Sequence, residues 1–506
     1  MDPVERHAYE PDVSFDGGDL DCGNGLLLLI RQHIDPLERG QLLEFRSTEI
    51  SVEADFPAWC RMTGNQLVSL VRRGRERSFL VCKGALAERR ARPARPGPPN
   101  LLRLEPMSVR VPERLPPPAP APPLPALAVM GIGSWPRPRW LLQAMHDHLE
   151  GRLGEAEFDT TADDAVRLCL DAQLRAGVDA VTDGEQRRDN YASFVGGRLD
   201  NCRLIPLTDL LPLVDDPAHF EAEMRSLDVP ASEVRHPAVF GALGRTRPLA
   251  VHEAAFLRSL TDRPVKVALP GPYLLSRTMW MECISDRAYR SREHLAEDIV
   301  RVLREELHFL LAAGVALVQL DEPVLSEVVF TGAKSRRSFM CGALSEKADA
   351  ETELAFAATL LDQVTAGLPV ERLAMHVCRG NWTRDETAAL AGDYRPLLSL
   401  FARAPIGTLF LELCTERAGE IEVLKDLPGG LRVGVGVVNQ KHEAVEPVED
   451  IVARGRRAIA CFGPERVLLT PDCGFATFAD NPVASAQVAE AKLQAIGRAA
   501  QILRRG

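Results

Sequence analysis

The sequence predicts an α/β chain in which a TIM-type (β/α)8 barrel follows a small two-layer α+β domain. Three observations predict it. From residue 126 to 506, short apolar runs alternate with longer amphipathic stretches, the pattern of repeated βα units on a parallel sheet. Residues 19–84 hold a compact mixture of helical and strand periods, and the stretch between them, 85–125, is rich in Pro and Arg.

Composition narrows the function classes. A chain of 506 residues has room for two or three domains, and its 46% hydrophobic content can fill large cores. The net charge of −11 argues against nucleic acid as the main partner. The 11 cysteines fall at irregular spacing with no signal-peptide pattern, so reduced thiols in a cytoplasmic protein are expected rather than a disulfide framework. The longest apolar run, from Gly25 to Ile30, is too short to span a bilayer, so no membrane partner is expected.

In chain order, residues 1–18 lack periodicity and read as a loose tail. Within 19–84 the pattern predicts a helix from Leu26 to His33, a strand from Leu42 to Ser47, a helix near Ala54 to Thr63, and strands around Gln66 to Val71 and Ser78 to Cys82. Asp21-Cys22-Gly23-Asn24-Gly25, Leu37-Glu38-Arg39-Gly40-Gln41, Asp55-Phe56-Pro57-Ala58-Trp59-Cys60 and Thr63-Gly64-Asn65-Gln66 resemble the TusA-like sulfur-carrier family. That family carries persulfide on a cysteine of a Cys-Pro pair before its first helix, where backbone amides and the helix dipole stabilise a thiolate. Cys-Pro is absent here and Cys22 lies close to that position, so the resemblance makes Cys22 the candidate sulfur carrier and implies a sulfur-relay protein as a partner. Cys60 and Cys82 read as packing residues. Residues 85–125, ending in Pro116-Pro117-Pro118-Ala119-Pro120-Ala121-Pro122-Pro123, read as a semi-rigid polyproline linker.

Eight runs supply the barrel strands: Leu127 to Gly133, Ala180 to Asp183, Val265 to Leu269, Leu317 to Leu320, Leu373 to Val377, Thr408 to Leu413, Arg432 to Val438 and Val467 to Thr470. The extra length between Gly197 and Arg263 reads as an excursion after the second strand. Polar signatures follow nearly every run at its carboxyl end, which is the catalytic face of such a barrel.

The chemistry concentrates in His376-Val377-Cys378, Glu412 and Cys473, each at the end of an apolar run. Side chains two apart on a strand share a face, so His376 and Cys378 can grip one ion. Imidazole with thiolate favours zinc, and Glu412 and Cys473 can complete or nearly complete the shell. Cys414 competes with Glu412, because both share a face if that strand extends far enough. Zinc keeps a substrate thiol ionised near neutral pH for attack on an electrophilic carbon, so S-alkylation is the expected reaction.

Gly131-Ile132-Gly133-Ser134-Trp135-Pro136, Asp183-Gly184-Glu185-Gln186-Arg187-Arg188, Gln319-Leu320-Asp321-Glu322-Pro323, His376-Val377-Cys378-Arg379-Gly380-Asn381 and Pro471-Asp472-Cys473-Gly474-Phe475 make the barrel resemble the cobalamin-independent methionine synthase family, in its shorter single-barrel form. The resemblance implies zinc ligands at His376, Cys378, Glu412 and Cys473. It implies that Ile132, Gly133, Ser134, Glu185 and Asp321 hold homocysteine, the two carboxylates gripping the ammonium. The family's general acid, a histidine after the seventh strand, aligns with Lys441, with His442 one residue later, so either residue can take that duty. Asn190 stands where the family has an acidic residue. The expected activity is methylation of homocysteine or a related thiol from methyltetrahydrofolate or a methyl-corrinoid protein. The alternatives are transfer of an epoxide or other electrophile to a thiol, and sulfur relay through Cys22. The His-x-Cys pair speaks against a porphyrin decarboxylase.

Overall fold

The computed structural model describes residues 4, 6–18, 26–89, 105–206, 235–281, 285, 288–330, 348–381, 384, 386, 389–479 and 482–505. The chain divides into two compact units, Met1–Pro99 and Asn100–Gly506.

The first unit is a four-stranded sheet in the order β1-β2-β4-β3, formed by β1 Val13–Asp16, β2 Leu42–Ser47, β3 Gln66–Arg73 and β4 Glu76–Cys82. Helices Leu26–Ile34 and Val52–Thr63 supply Leu26, Ile30, Val52 and Phe56 to a core shared with Phe45 and Phe79. Cys60 and Cys82 are buried, as packing residues should be. The loose-tail expectation fails over β1, which runs parallel to β2. Its alternation of Val13 and Phe15 with Ser14 and Asp16 spans only four residues, and Phe15 stacks on Phe45 and His33. Cys22 lies outside the described residues.

In the second unit, six parallel strands form one sheet in the order β12-β11-β10-β9-β8-β7. They are β7 Lys266–Pro270, β8 Leu317–Asp321, β9 Leu373–Val377, β10 Thr408–Leu411, β11 Arg432–Val438 and β12 Val467–Pro471. The first two expected strands are reduced to short bridging segments: Val129 pairs with Leu469 of β12 and Val181 with Val265 beside β7. Asp179 N also donates to Val129 O, so these segments join the sheet's two edges and make it barrel-like. Both segments are short because glycines follow them closely, in Gly131-Ile132-Gly133 and Asp183-Gly184.

Strand alternation separates two cores. Inward-facing Met130, Ala180, Leu317, Ala374, Phe410 and Leu468 form an inner cluster. Outward-facing Val318, Leu320, Met375, Leu409, Val435 and Leu469 join the helices in the larger outer core. The excursion after the second segment contains an antiparallel hairpin, β5 Asp200–Pro206 with β6 Arg235–Gly244.

The proline-rich stretch differs from a free spacer in its second half. Ala119 N donates to Leu311 O, Arg372 donates to Ala119 O, and Leu124 packs against the inner cluster. Polyproline backbone leaves its own polar groups unpaired, and here the orphan Leu311 carbonyl at a helix end accepts the Ala119 N–H while the Arg372 guanidinium takes the Ala119 carbonyl. Among the described residues no helix is long and apolar enough to cross a membrane.

Candidate active site

Strand alternation carries His376 to the inner face of β9, and Cys378 continues that face one step beyond the strand end. Cys473 lies two residues beyond the end of β12. The ligand atoms of His376, Cys378 and Cys473 lie within 4.8 Å of one another, and all three residues are buried. His376 Nδ1 stands 2.9 Å from Asp321 Oδ1, so the Nδ1 proton is committed to the carboxylate and Nε2 carries a lone pair. That Nε2 is buried with no hydrogen-bond partner. The Cys473 thiol hydrogen-bonds to Cys378 and, with His376 nearby, holds the Cys378 thiol below its usual range despite burial. One unpaired imidazole nitrogen and two adjoining buried thiols suit zinc, and the His-to-carboxylate bond is the outer contact that fixes a metal-binding tautomer.

Glu412 stands outside this group of three. Its carboxylate accepts from Asn381 Nδ2 at 2.6 Å and is ion-paired with Arg417. It is near enough for its charge to act on both Cys378 and Cys473. Cys414 does not share its direction: β10 ends at Leu411, so strand alternation carries one step beyond the end to Glu412, as it does to Cys378, but not on to Cys414. The Cys414 thiol lies instead among Asp472, Arg454, Glu446 and Lys492, and burial pushes it up.

The facing wall is built from turns. Glu185 adopts φ 55°, a left-handed conformation uncommon outside glycine, directly after Gly184 at φ 73°. A Cβ at Gly133 would meet Glu185 Oε1 at 2.2 Å, so glycine there makes room for the carboxylate. Burial pushes the Glu185 carboxyl up to about 7 against the pull of Arg188, and its Oε2 is buried with no partner. Ser134 Oγ accepts from Ala476 N, and a Cβ at Gly474 would strike that oxygen at 2.2 Å. Arg137 fastens these turns together by donating to Glu185 O and Ala476 O. Asp321 sits between the walls and accepts from Gln319 Nε2 at 2.7 Å as well as from His376.

The general-acid pair separates. Lys441 is 2% exposed, with its amine lowered by burial and by Arg417 and felt by Glu412 and Cys473, whereas His442 is an exposed side chain paired with Glu386 at 3.1 Å. Asn190, in the position of the expected acid, serves its own turn by accepting from Ala192 N and Ser193 N. Arg379 is buried between the rings of Phe330 and Tyr394 and donates to Ala418 O, so it braces the loops rather than facing a substrate.

These groups surround an open-mouthed cavity, about 570 Å³ with the solvent at its mouth included. Ile132, Ser134, Glu185, Asp321, His376, Cys378 and Cys473 line it. The rest of the lining is Tyr191, Pro323, Asn381, Gly474, Thr477 and Phe478. Pro323, Asn381 and Gly474 left a signal as members of the motifs around Asp321, His376 and Cys473, whereas Tyr191, Thr477 and Phe478 left none. Tyr191 and Phe478 come together because Asn190 bridges to Phe478 and Ala479 N donates to Asp189 O across the rim.

Residues 127–496 match the family described as cobalamin-independent synthase, catalytic domain. The methionine synthase of Saccharolobus solfataricus is 26% identical over 353 residues, spanning 69% of this chain and 89% of that protein. That of Sulfurisphaera tokodaii is 25% identical over 352 residues, spanning 69% and 86%. Among solved structures, a B12-independent methionine synthase from Shewanella sp. W3-18-1 in complex with selenomethionine aligns at a TM-score of 0.57 and 25% identity, covering 75% of this chain and 98% of that one. A vitamin-B12-independent methionine synthase from Listeria monocytogenes shares the fold, at a TM-score of 0.52 and 19% identity.

Proposed function

The chain belongs to the cobalamin-independent synthase catalytic-domain family, methyltransferases of the methionine synthase type, and from that premise we propose that it is a zinc-dependent enzyme that methylates homocysteine or a closely related amino-acid thiol. The observation that carries the proposal is the unpaired His376 Nε2 within 4.8 Å of two cysteine sulfurs at the cavity wall. Zinc bound there would supply the Lewis acidity that keeps an incoming thiol ionised near neutral pH.

The chain's own residues account for the remaining requirements. Glu185 Oε2, buried and without a partner, is placed to accept the substrate ammonium once the carboxyl ionises. Ser134 Oγ uses a lone pair on Ala476 N, which leaves its O–H to donate to the substrate carboxylate. Glu412, docked on Asn381 and Arg417 beside the two cysteines, would be the carboxylate able to help His376, Cys378 and Cys473 hold the zinc. The thiolate forms the S–CH3 bond as the donor's bond to methyl breaks, and Lys441 Nζ delivers a proton to the leaving group. Lys441 is preferred to His442 because it is the buried one of the pair. The selenomethionine held by the Shewanella relative is consistent with a methionine-like product. Methyltetrahydrofolate and a methyl-corrinoid protein are the two donors to compare.

For the amino-terminal unit, the sulfur-carrier reading rests on the motifs around Cys22, with the two-layer α+β order in accord.

Zinc-edge X-ray absorption of the full chain, with and without homocysteine, tests the central proposal. Bound zinc should show one nitrogen and two sulfur ligands from the protein and gain one sulfur when homocysteine is added. Zinc whose shell ignores homocysteine, or a protein that takes up no zinc, would sink it.

A further inference from the structure

Lys266, at the start of β7, is a lysine 1% exposed inside the barrel-like sheet. It does not line the cavity. Its Nζ donates to Ile132 O at 2.6 Å and to Gln319 Oε1 at 2.8 Å, and it stands 4.6 Å from the centroid of the Phe410 ring. Burial lowers the amine to about 7, with Asp321 and Glu185 pulling it back up. Either protonation state has the two N–H groups that these contacts require. With its nitrogen committed to two acceptors and set back from the cavity, Lys266 has no part as a nucleophile.

Gln319 passes this contact on. Its Oε1 faces Lys266, so its Nε2 must face the other way, and there it donates to Asp321 Oδ1 at 2.7 Å. The reversed amide would set two donors against each other at Lys266 and an oxygen against a carboxylate at Asp321. Asp321 Oδ1 then accepts the Nδ1 proton of His376, and the Nε2 lone pair is left toward Cys378 and Cys473. Each link fixes the direction of the next: ammonium to amide oxygen, amide nitrogen to carboxylate, carboxylate to imidazole. The second bond of Lys266, to Ile132 O, ties the same chain to the Ile132-Gly133-Ser134 turn at the substrate wall.

We infer that Lys266 is a positioning residue that sets the Gln319–Asp321–His376 relay, and so the metal-binding face of His376, while anchoring the turn that receives the amino-acid end of the substrate. This rests on the functional reading above. Loss of an outer-sphere partner of a ligating histidine costs about 10–100-fold in metal affinity, and a residue one link further out belongs at the lower end, about tenfold.

The test is a zinc competition titration against a chromophoric chelator on the full chain, comparing wild type, Lys266→Met, Asp321→Asn and the double variant, with KM for homocysteine measured alongside. Lys266→Met should bind zinc about tenfold more weakly and raise KM more than it lowers kcat. In the Asp321→Asn background the same substitution should cost almost nothing further in zinc affinity, because the relay is already cut. A general loss of stability would not show that dependence. If Lys266→Met does not unfold cooperatively, Gln319→Met takes its place: it keeps the side-chain length but neither accepts from Lys266 nor donates to Asp321, and should give the same loss and the same non-additivity. Zinc affinity within twofold of wild type, or an equal loss in both backgrounds, overturns the role of Lys266 and leaves the enzyme's function standing. A wild type that binds no zinc overturns the functional reading itself.

Discussion

On one wall of the cavity His376 and Cys378 stand on the inner face of β9, spaced by the two-residue period of a regular strand. On the other wall Glu185 projects from a left-handed turn, and its room exists only because residue 133 lacks a side chain. The first wall presents soft donors with an unpaired lone pair. The second presents a buried carboxyl with an unpaired oxygen. Backbone regularity therefore places His376 and Cys378, the proposed metal ligands, whereas local backbone exceptions place Glu185, the carboxyl proposed to read the rest of the substrate. Damage to the first should remove chemistry, and damage to the second should weaken recognition.

The largest expected effect comes from Cys473→Ser on the metal wall. Zinc content after dialysis should fall to background and methyl transfer with it, while the melting transition stays cooperative. Retained zinc at wild-type affinity would show that the two thiols and His376 do not act as one site.

Glu185→Gln should spare zinc and raise KM for homocysteine by about 10–100-fold, the worth of a hydrogen bond to a charged group at roughly 1.5–3 kcal/mol. The pH dependence follows from a carboxyl held at about 7, above its ordinary value of 4.5. Such a group contributes stability that is fully present below its ordinary value and is lost as pH rises through about 7. Without substrate, wild type should therefore lose stability relative to Glu185→Gln between about pH 5 and pH 8. Ammonium binding requires the ionised form, so the wild-type KM should fall over the same interval. A KM that is flat across that range, or that rises, separates Glu185 from the ammonium.

The smallest effect is expected from Gly133→Ala. The added Cβ would meet the end of the Glu185 carboxyl, a side chain able to shift, so kcat/KM should drop by about tenfold, roughly 1.4 kcal/mol, with zinc affinity unchanged. A loss of zinc in this variant would mean that the two walls are not independent.

The same contrast decides what was legible in the sequence. Leu373 to Val377 and Arg432 to Val438 are strands with the bounds their apolar runs indicate, and the His-x-Cys spacing survives unchanged in the structure. Glu412 and Cys414 were read with the same period, but β10 stops at Leu411, so the spacing still reaches Glu412 one step on and has no strand to carry it to Cys414. Lys266 left no trace, because its partner Gln319 is 53 residues away and both lie within apolar runs. The edge strand β1 was hidden by its length, four residues whose parallel partner is supplied from elsewhere in the unit. Tyr191 and Phe478 meet across the rim through one bridge between distant loops, a pairing that local periodicity cannot contain.

The proline-rich stretch also shifts where this module begins. The family match starts at residue 127, yet Ala119 caps the Leu311 carbonyl and receives Arg372, and Leu124 closes the inner cluster from below. Severed at 126, the barrel-like unit would keep every motif by which it is recognised and lose these contacts. The inheritable part is longer than the recognisable part, and a gene fusion that moved only the latter would move an unfinished protein.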